Sequence, residues 1–383
     1  MEELFLSPEL NIHSKNSYVT NWIRSLLIGL VMLLFSFENR TDIRYFQAAT
    51  IPIGDSAKNI TVSINDSLAS QDLFQVRTES GIPAHYFIEL QTGVCYDNTC
   101  RPLNMLVYWN ITGRYLGFEL KDGEFLSKYD HKPFTQQEYE RLHHLLADPF
   151  LPLGNYAFED LVTEPEANNQ SVDAVSGATS KDVLEYVVDG AAYTTHKLWN
   201  VVHGPVQQQV ISLTEEKLDS FLFTKILQSK DQSDRTWALE RISLVTKLDD
   251  SVVDAIIRII LEEEYFQSYL LLRSLSSEQL ESMDLQLQLF KLIGKVDFEI
   301  ENLIFDQMTD ASHLNPAVVA HSISILSDLS GPQLVKLLNL YTHHEVTVAE
   351  LNNGLREMIP HENPYIESQL MQFLEKQGSF TDH

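Results

Sequence analysis

Five residues within seven positions, Asp173, Ser176, Gly177, Ala178 and Thr179, form the pattern in this chain whose types and spacing suit a definite chemistry. Ser176, Gly177 and Ala178 have small or absent side chains, so backbone N–H groups there can lie open to a ligand. A small-residue turn running into a helix N-terminus gathers unpaired N–H donors at the positive end of the helix dipole, and such a place suits a phosphate. The helix expected here covers residues 180–188: Ser180 suits the N-cap, Asp182 stands in the first turn, and Val183, Leu184, Val187 and Val188 share one side. The Thr179 hydroxyl stands at that anion site. The plainer alternative is a loop that merely caps a structural helix.

Other reactive residue types are few. Cys95 and Cys100 bracket a short loop between two expected strands, which suits a disulfide in an oxidising compartment. A redox-active dithiol is the alternative, although Arg101 is the one basic residue nearby that could lower a thiol pKa. Two cysteines exclude a disulfide-framed mini-protein, an all-cysteine zinc site and a cysteine-ligated iron–sulfur cluster. The adjacent pairs His143-His144 and His343-His344 point about 100° apart on a helix, so neither suits one metal ion, and solvated histidines are expected. No P-loop, serine-hydrolase elbow or Gly-x-Gly-x-x-Gly fingerprint occurs.

The 173–179 segment resembles the flavinylation motif of the FMN-binding domain family, found in the flavin-carrying subunits of the Rnf and sodium-pumping quinone reductase complexes and in related exported proteins. That motif has an acidic or amide residue, two variable positions, Ser/Thr, Gly, Ala and a final Ser/Thr, and all five fixed positions are met here. The resemblance spans about residues 80–205, with further similarity at 130–134, 138–142, 146–149 and 190–193. It implies that a separate flavin transferase joins the FMN phosphate to the Thr179 hydroxyl as a phosphoester. It also makes His131 a candidate flavin or transferase contact. Tyr193 and Trp199, just past the expected helix, are of a size to flank an isoalloxazine ring, or are simply core.

The elements that must position these residues fall into two kinds. Before residue 210, Tyr86–Leu90, Met105–Trp109 and Tyr115–Leu120 read as strands, the last two joined by a turn at Asn110 to Gly113. Thr135 with Glu138 three residues on reads as a capping box that opens a helix, and Asp148-Pro149 closes it. After residue 213, apolar residues recur at helical spacing, as in Val252, Val253, Ile256 and Ile260, then Val318 and Val319, then Leu334, Leu337, Leu338 and Tyr341. Asp249-Asp250, Ser276-Ser277, Asn315-Pro316, Gly331-Pro332 and Pro360 read as helix stops. The expected fold is therefore an α+β FMN-binding domain at 80–210 followed by an all-α helical-repeat, HEAT-like solenoid domain at 213–383, with an ordinary helical bundle as the alternative. Residues 39–79 read as a connector with one strand.

Upstream, Ser25 to Phe37 is an uncharged run of thirteen residues preceded by Lys15 and Arg24. A bilayer span needs about 20 apolar residues, so residues 1–38 are expected to be a signal peptide or a short membrane anchor, with a buried core helix as the alternative. Either export reading puts the remainder in the periplasm or on the outer face of the cytoplasmic membrane. Acidic residues outnumber basic ones 54 to 27, and a net charge of −27 repels nucleic acid. The expected function is that of an exported flavoprotein, an electron carrier rather than a substrate-specific enzyme, whose partners are a flavin transferase and redox proteins. The rival expectation is a non-catalytic periplasmic scaffold whose FMN-like domain is empty or binds FMN without a covalent bond.

Overall fold

Alternation with a period of two builds the central sheet: along Pro83–Thr92, Ala84, Tyr86, Ile88 and Leu90 are buried while Glu89 and Gln91 face solvent. The computed structural model describes residues 43–52, 58–62, 72–93, 102–157, 185–262 and 264–378. The motif at 173–179, Cys95, Cys100 and the apolar run at 25–37 lie outside the described residues. The described residues from Tyr45 onward belong to one compact unit.

The strands are Arg44–Phe46 (β1), Lys58–Val62 (β2), Leu73–Arg77 (β3), Pro83–Thr92 (β4), Leu103–Asn110 (β5) and Tyr115–Leu120 (β6). Strands β2 to β6 form an antiparallel meander, and β1 adds at the edge beside β6. The stretch expected as a connector with one strand thus supplies β1, β2 and β3. Its signal was weak because these strands are short and β3 buries a polar residue, Gln75, which donates to the Tyr86 hydroxyl. The expected β5–β6 hairpin is present. Gly113 has a positive φ of 81°, and a Cβ there would strike Ile211, so the turn needs glycine for both conformation and close approach.

Helices Gln136–Ala147 (α1), Ala192–Val202 (α2) and Pro205–Glu215 (α3) pack in sequence, α1 on β6 and α2, and α2 on α3. The capping box at Thr135 and Glu138 is formed as expected. Trp109, fully buried, donates its Nε1–H to the Val202 carbonyl at 2.8 Å. Thr214 donates to the Ile111 carbonyl at 2.5 Å, and Gln207 to the Gly113 carbonyl at 2.9 Å. The far face of the sheet carries an aromatic row in which Phe74 stacks on Phe87, and Phe87 and Phe46 meet Tyr108.

Ten helices follow among the described residues. They are Ser220–Leu227 (α4), Gln232–Leu239 (α5), Asp250–Glu262 (α6), Tyr265–Ser274 (α7) and Met283–Phe290 (α8). Then come Phe298–Asp310 (α9), Pro316–Ser324 (α10), Gly331–His343 (α11), Ala349–Glu357 (α12) and Pro364–Lys376 (α13). Even-numbered helices pack one on the next from α4 to α12, and odd-numbered helices do the same from α5 to α13. The chain is therefore mixed α+β with a helical C-terminal part. The core residues expected from helical spacing, such as Val252, Ile256, Leu337 and Tyr341, are buried between these rows.

Two expectations shift at the joints. The boundary expected at 210–213 falls inside α3. Asp249-Asp250, Asn315-Pro316 and Gly331-Pro332 mark helix starts rather than stops. Asp249 accepts from the Val252 N–H, Asn315 accepts from the Ala317 N–H, and Pro316 and Pro332 sit in first turns, where a missing N–H costs nothing.

Candidate functional site

The residues that frame the motif segment lie on α1, α2 and the loops beside them. Residues 158–184 are outside the described part, and the chain is followed again from Glu185. On the incoming side, Tyr156 gives its carbonyl to His196 Nε2 of α2 at 3.0 Å. On the outgoing side, Arg141 of α1 donates to the Val187 carbonyl through Nε and to the Glu185 carbonyl through a terminal nitrogen, both at 3.0 Å. The Val188 N–H goes to Thr195 Oγ1 at 3.1 Å, and the Tyr129 N–H reaches the Gly190 carbonyl at 2.9 Å. Trp199 donates to the Asp148 carbonyl at 3.0 Å. Arg141, Asp148 and Gly190, each in a segment similar to the family, thus all bond to residues of α2 or of the 185–190 stretch or the loop before α1.

The last residues of the helix expected over 180–188 are not helical, and residues 180–184 lie outside the described residues. Residues 185–190 form turns, and the next helix begins at Ala192. The Val188 N–H, which a helix through this residue would give to the carbonyl four residues back, goes instead to Thr195 Oγ1, and Arg141 holds the carbonyls of Glu185 and Val187. Val187 and Val188 are fully buried together, as their shared apolar character requires.

Beside this point lies an open groove of about 480 Å³ lined by Gln137, Glu140, Arg141, His144, Asp148 and Glu185, with Leu145 and Leu151. Three carboxylates against one guanidinium and one imidazole make its walls polar. Sites for drug-sized ligands are mostly apolar, so this groove is not assigned to an aromatic cofactor.

Of the other sequence-based candidates, Thr179, Asp173, Ser176, Gly177, Ala178, Cys95 and Cys100 are outside the described residues. The strands flanking the cysteine loop pair as far as Thr92 with Leu103. His131 is exposed at the tip of a turn with a φ of 61°. Trp199 is core, against Gly154 and His203, and Tyr193 is half-buried with Lys197 over its ring. His144 and His343 are exposed, and His344 is partly covered and bonded to the Met308 carbonyl.

His143 departs from the solvated state expected for it. It is buried, with Nδ1 3.1 Å from the Tyr115 hydroxyl and with Tyr45 and Phe118 around its ring. Tyr139, Leu142, His143 and Leu146 share the buried side of α1, so helical spacing from Tyr139 was the signal that places His143 inside. Burial, helped by the neighbouring His144, depresses its pKa to about 4 from 6.5. The unfolded chain therefore takes up a proton that the native chain refuses as pH falls below 6.5. Stability is expected to drop between pH 6.5 and pH 4 and to be unaffected by this group above that window. Urea midpoints measured across the window should show a smaller slope in His143→Gln; an unchanged slope would contradict the assignment.

A second cluster, centred on Asp234 at the start of α5, had no signature in the sequence. The Asp234 carboxylate is wholly buried and accepts from Thr50 Oγ1 at 2.6 Å, Thr112 Oγ1 at 2.6 Å, Ser229 Oγ at 2.8 Å and Asn110 Nδ2 at 2.9 Å. Arg114 binds both oxygens, Nε at 3.0 Å and a terminal nitrogen at 2.8 Å. Burial pushes the Asp234 carboxyl up, but the Arg114 guanidinium and the two threonine hydroxyls outweigh it and hold the pKa below the usual value. With each oxygen so occupied, this is a clamp between the sheet and the helical rows, not a reactive group.

Among the described residues no helix is long and apolar enough to cross a membrane, and no group of three or more His, Cys, Asp or Glu is placed to hold a metal ion. No family model, curated protein or solved structure matches this chain.

Proposed function

We propose that this chain is an exported flavoprotein that carries electrons on an FMN joined through its phosphate to Thr179, with the helical rows serving as a docking module. The observation that carries this reading is the full set of Asp173, Ser176, Gly177, Ala178 and Thr179 at the motif spacing. The donor chemistry of that set fits a phosphate: open backbone N–H groups at residues without bulky side chains, and a hydroxyl at the end. Support also comes from the mixed α+β character of the described residues before and after the motif.

In this reading a flavin transferase acts from outside, and the Thr179 hydroxyl oxygen becomes the ester oxygen on the FMN phosphorus. Its proton leaves with the group that the phosphorus releases. The bound FMN accepts and passes on electrons; the protein's part is to hold and orient it. Arg141, Thr195 and the 129–190 backbone bond hold the chain at residues 185–190, downstream of the attachment segment. The helical part, in two rows of successive helices, is read as a HEAT-like solenoid for protein partners. The apolar run at 25–37 supports export, and the acidic chain argues against nucleic acid as a partner.

The test is production of the full chain with and without a flavin transferase, followed by in-gel flavin fluorescence after denaturation. Fluorescence that survives denaturation and requires the transferase is expected. Colour lost on denaturation would mean noncovalent FMN, and no colour at all would leave the scaffold reading.

A further inference from the structure

The surface of the odd-numbered helix row carries a groove of about 470 Å³ between α9, α11 and α13. Phe298 and Tyr365 stand at its edges with 52% and 60% of their surface exposed, and Pro332 and Val335 line it between them. Large aromatic side chains left in water at the first turns of two helices are not needed by the core, which is closed beneath them by Ile300, Leu334 and Ile366.

The polar side chains are what specify an occupant. Asn302 of α9 and Asn339 of α11 both line the groove, and neither amide makes a hydrogen bond among the described residues. A primary amide donates and accepts at once, which matches a peptide group and suits neither an apolar ligand nor a simple ion. Packed helices lie about 8–10 Å apart, which is about three residues of an extended chain at about 3.3 Å each. The two amides can therefore meet peptide groups one helix step apart.

Charge fixes the sign of the partner. Lys336, the lysine inside the groove, is already paired with Asp306 at 3.4 Å. Glu362, which lines the groove, is exposed and makes no ion pair among the described residues, and the same holds for Glu299 of α9, which stands outside the lining. The chain as a whole carries −27. A cationic partner is drawn to such a surface, and an acidic one is repelled.

We propose that this groove binds an extended cationic segment of a partner protein, with Asn302 and Asn339 bonding its backbone and Phe298 and Tyr365 flanking its apolar side chains. The proposal rests on reading the helical part as a docking module, but it needs no flavin, so it and the flavin assignment fail separately.

The experiment uses the full chain and an array of synthetic peptides of about twelve residues and random composition, long enough to cross three helices. Peptides retained by the protein are expected to be enriched in Lys or Arg together with aliphatic residues. A fluorescein-labelled member of that set should bind about tenfold more weakly to the Asn302→Ala/Asn339→Ala double variant, the loss expected for one or two hydrogen bonds. Phe298→Ala/Tyr365→Ala should weaken it similarly. All four side chains are partly or largely exposed, so the unfolding temperature should stay the same in both variants. The proposal is overturned if no peptide is retained, if acidic peptides are selected, or if affinity is unchanged in the groove variants. Self-association of the chain that disappears in Phe298→Ala/Tyr365→Ala would also overturn it, by assigning the groove to a second copy.

Discussion

Asp234→Ala should lower the stability of the chain by about 3–5 kcal/mol, the usual cost of breaking a buried ion pair from one side. The loss does not come from one weak contact. Removing the carboxylate leaves the Arg114 guanidinium facing a cavity together with the donors of Thr50, Thr112, Ser229 and Asn110. Arg114 keeps Asp231 at 3.4 Å and the Ala48 carbonyl at 3.0 Å, which places the cost toward the lower end of the range. Chemical unfolding should show the drop, and an Asp234→Ala/Arg114→Ala double variant should lose less than the two single losses added. Because the Asp234 pKa is depressed, its contribution is present above the ordinary carboxylate value of 3.8 and is lost as pH falls through the lower native value. The clamp also bears on truncation. A chain ended near residue 210 would cut α3 and remove Ser229 and Asp234, leaving Asn110, Thr112 and Arg114 of the β5–β6 hairpin without the Asp234 carboxylate. Such a piece is expected to be less stable than the sequence pattern alone suggests.

Thr179→Ala should abolish covalent flavin altogether, since the phosphoester needs the hydroxyl oxygen. Thr179→Ser should retain it, because serine offers the same group. Gly177→Val should block attachment by covering the backbone that the phosphate and the transferase must approach. None of the three is expected to shift the unfolding free energy by more than about 1 kcal/mol if the segment acts as an attachment site and not as a core element. Full labelling in Thr179→Ala would move the acceptor to another hydroxyl, with Ser176 and Ser180 the nearest.

The parts of the fold that were legible in the sequence are those where one local rule acts alone. Period-two alternation in Pro83–Thr92, the Asn110–Gly113 turn and the Thr135/Glu138 capping box each required nothing from distant residues. Helical spacing likewise marked the buried faces of α6, α10 and α11. What was hidden depends on partners far apart in the chain. Thr195 takes the Val188 N–H that a helix through residue 188 would have used, and Arg141, more than forty residues upstream, binds the Glu185 and Val187 carbonyls. Asp234 is an ordinary first-turn acid until Arg114 and Thr50 are brought to it. His143 lay between: its position four residues after Tyr139 marks the core face, while the adjacent His144 gives the pair the look of a solvated tract. For the candidate site, the residue types and spacing at 173–179 were legible, that segment lies outside the described residues, and the structure adds the contacts that Tyr156 and residues 185–190 make with α1, α2 and the loop before α1.

The most direct test of covalent flavin attachment is the mass of the peptide that contains Thr179, released by protease from the chain produced together with a flavin transferase. A peptide heavier by one phosphoester-linked FMN is predicted, with fragmentation placing the addition on Thr179. An unmodified Thr179 peptide from protein exposed to an active transferase would contradict it.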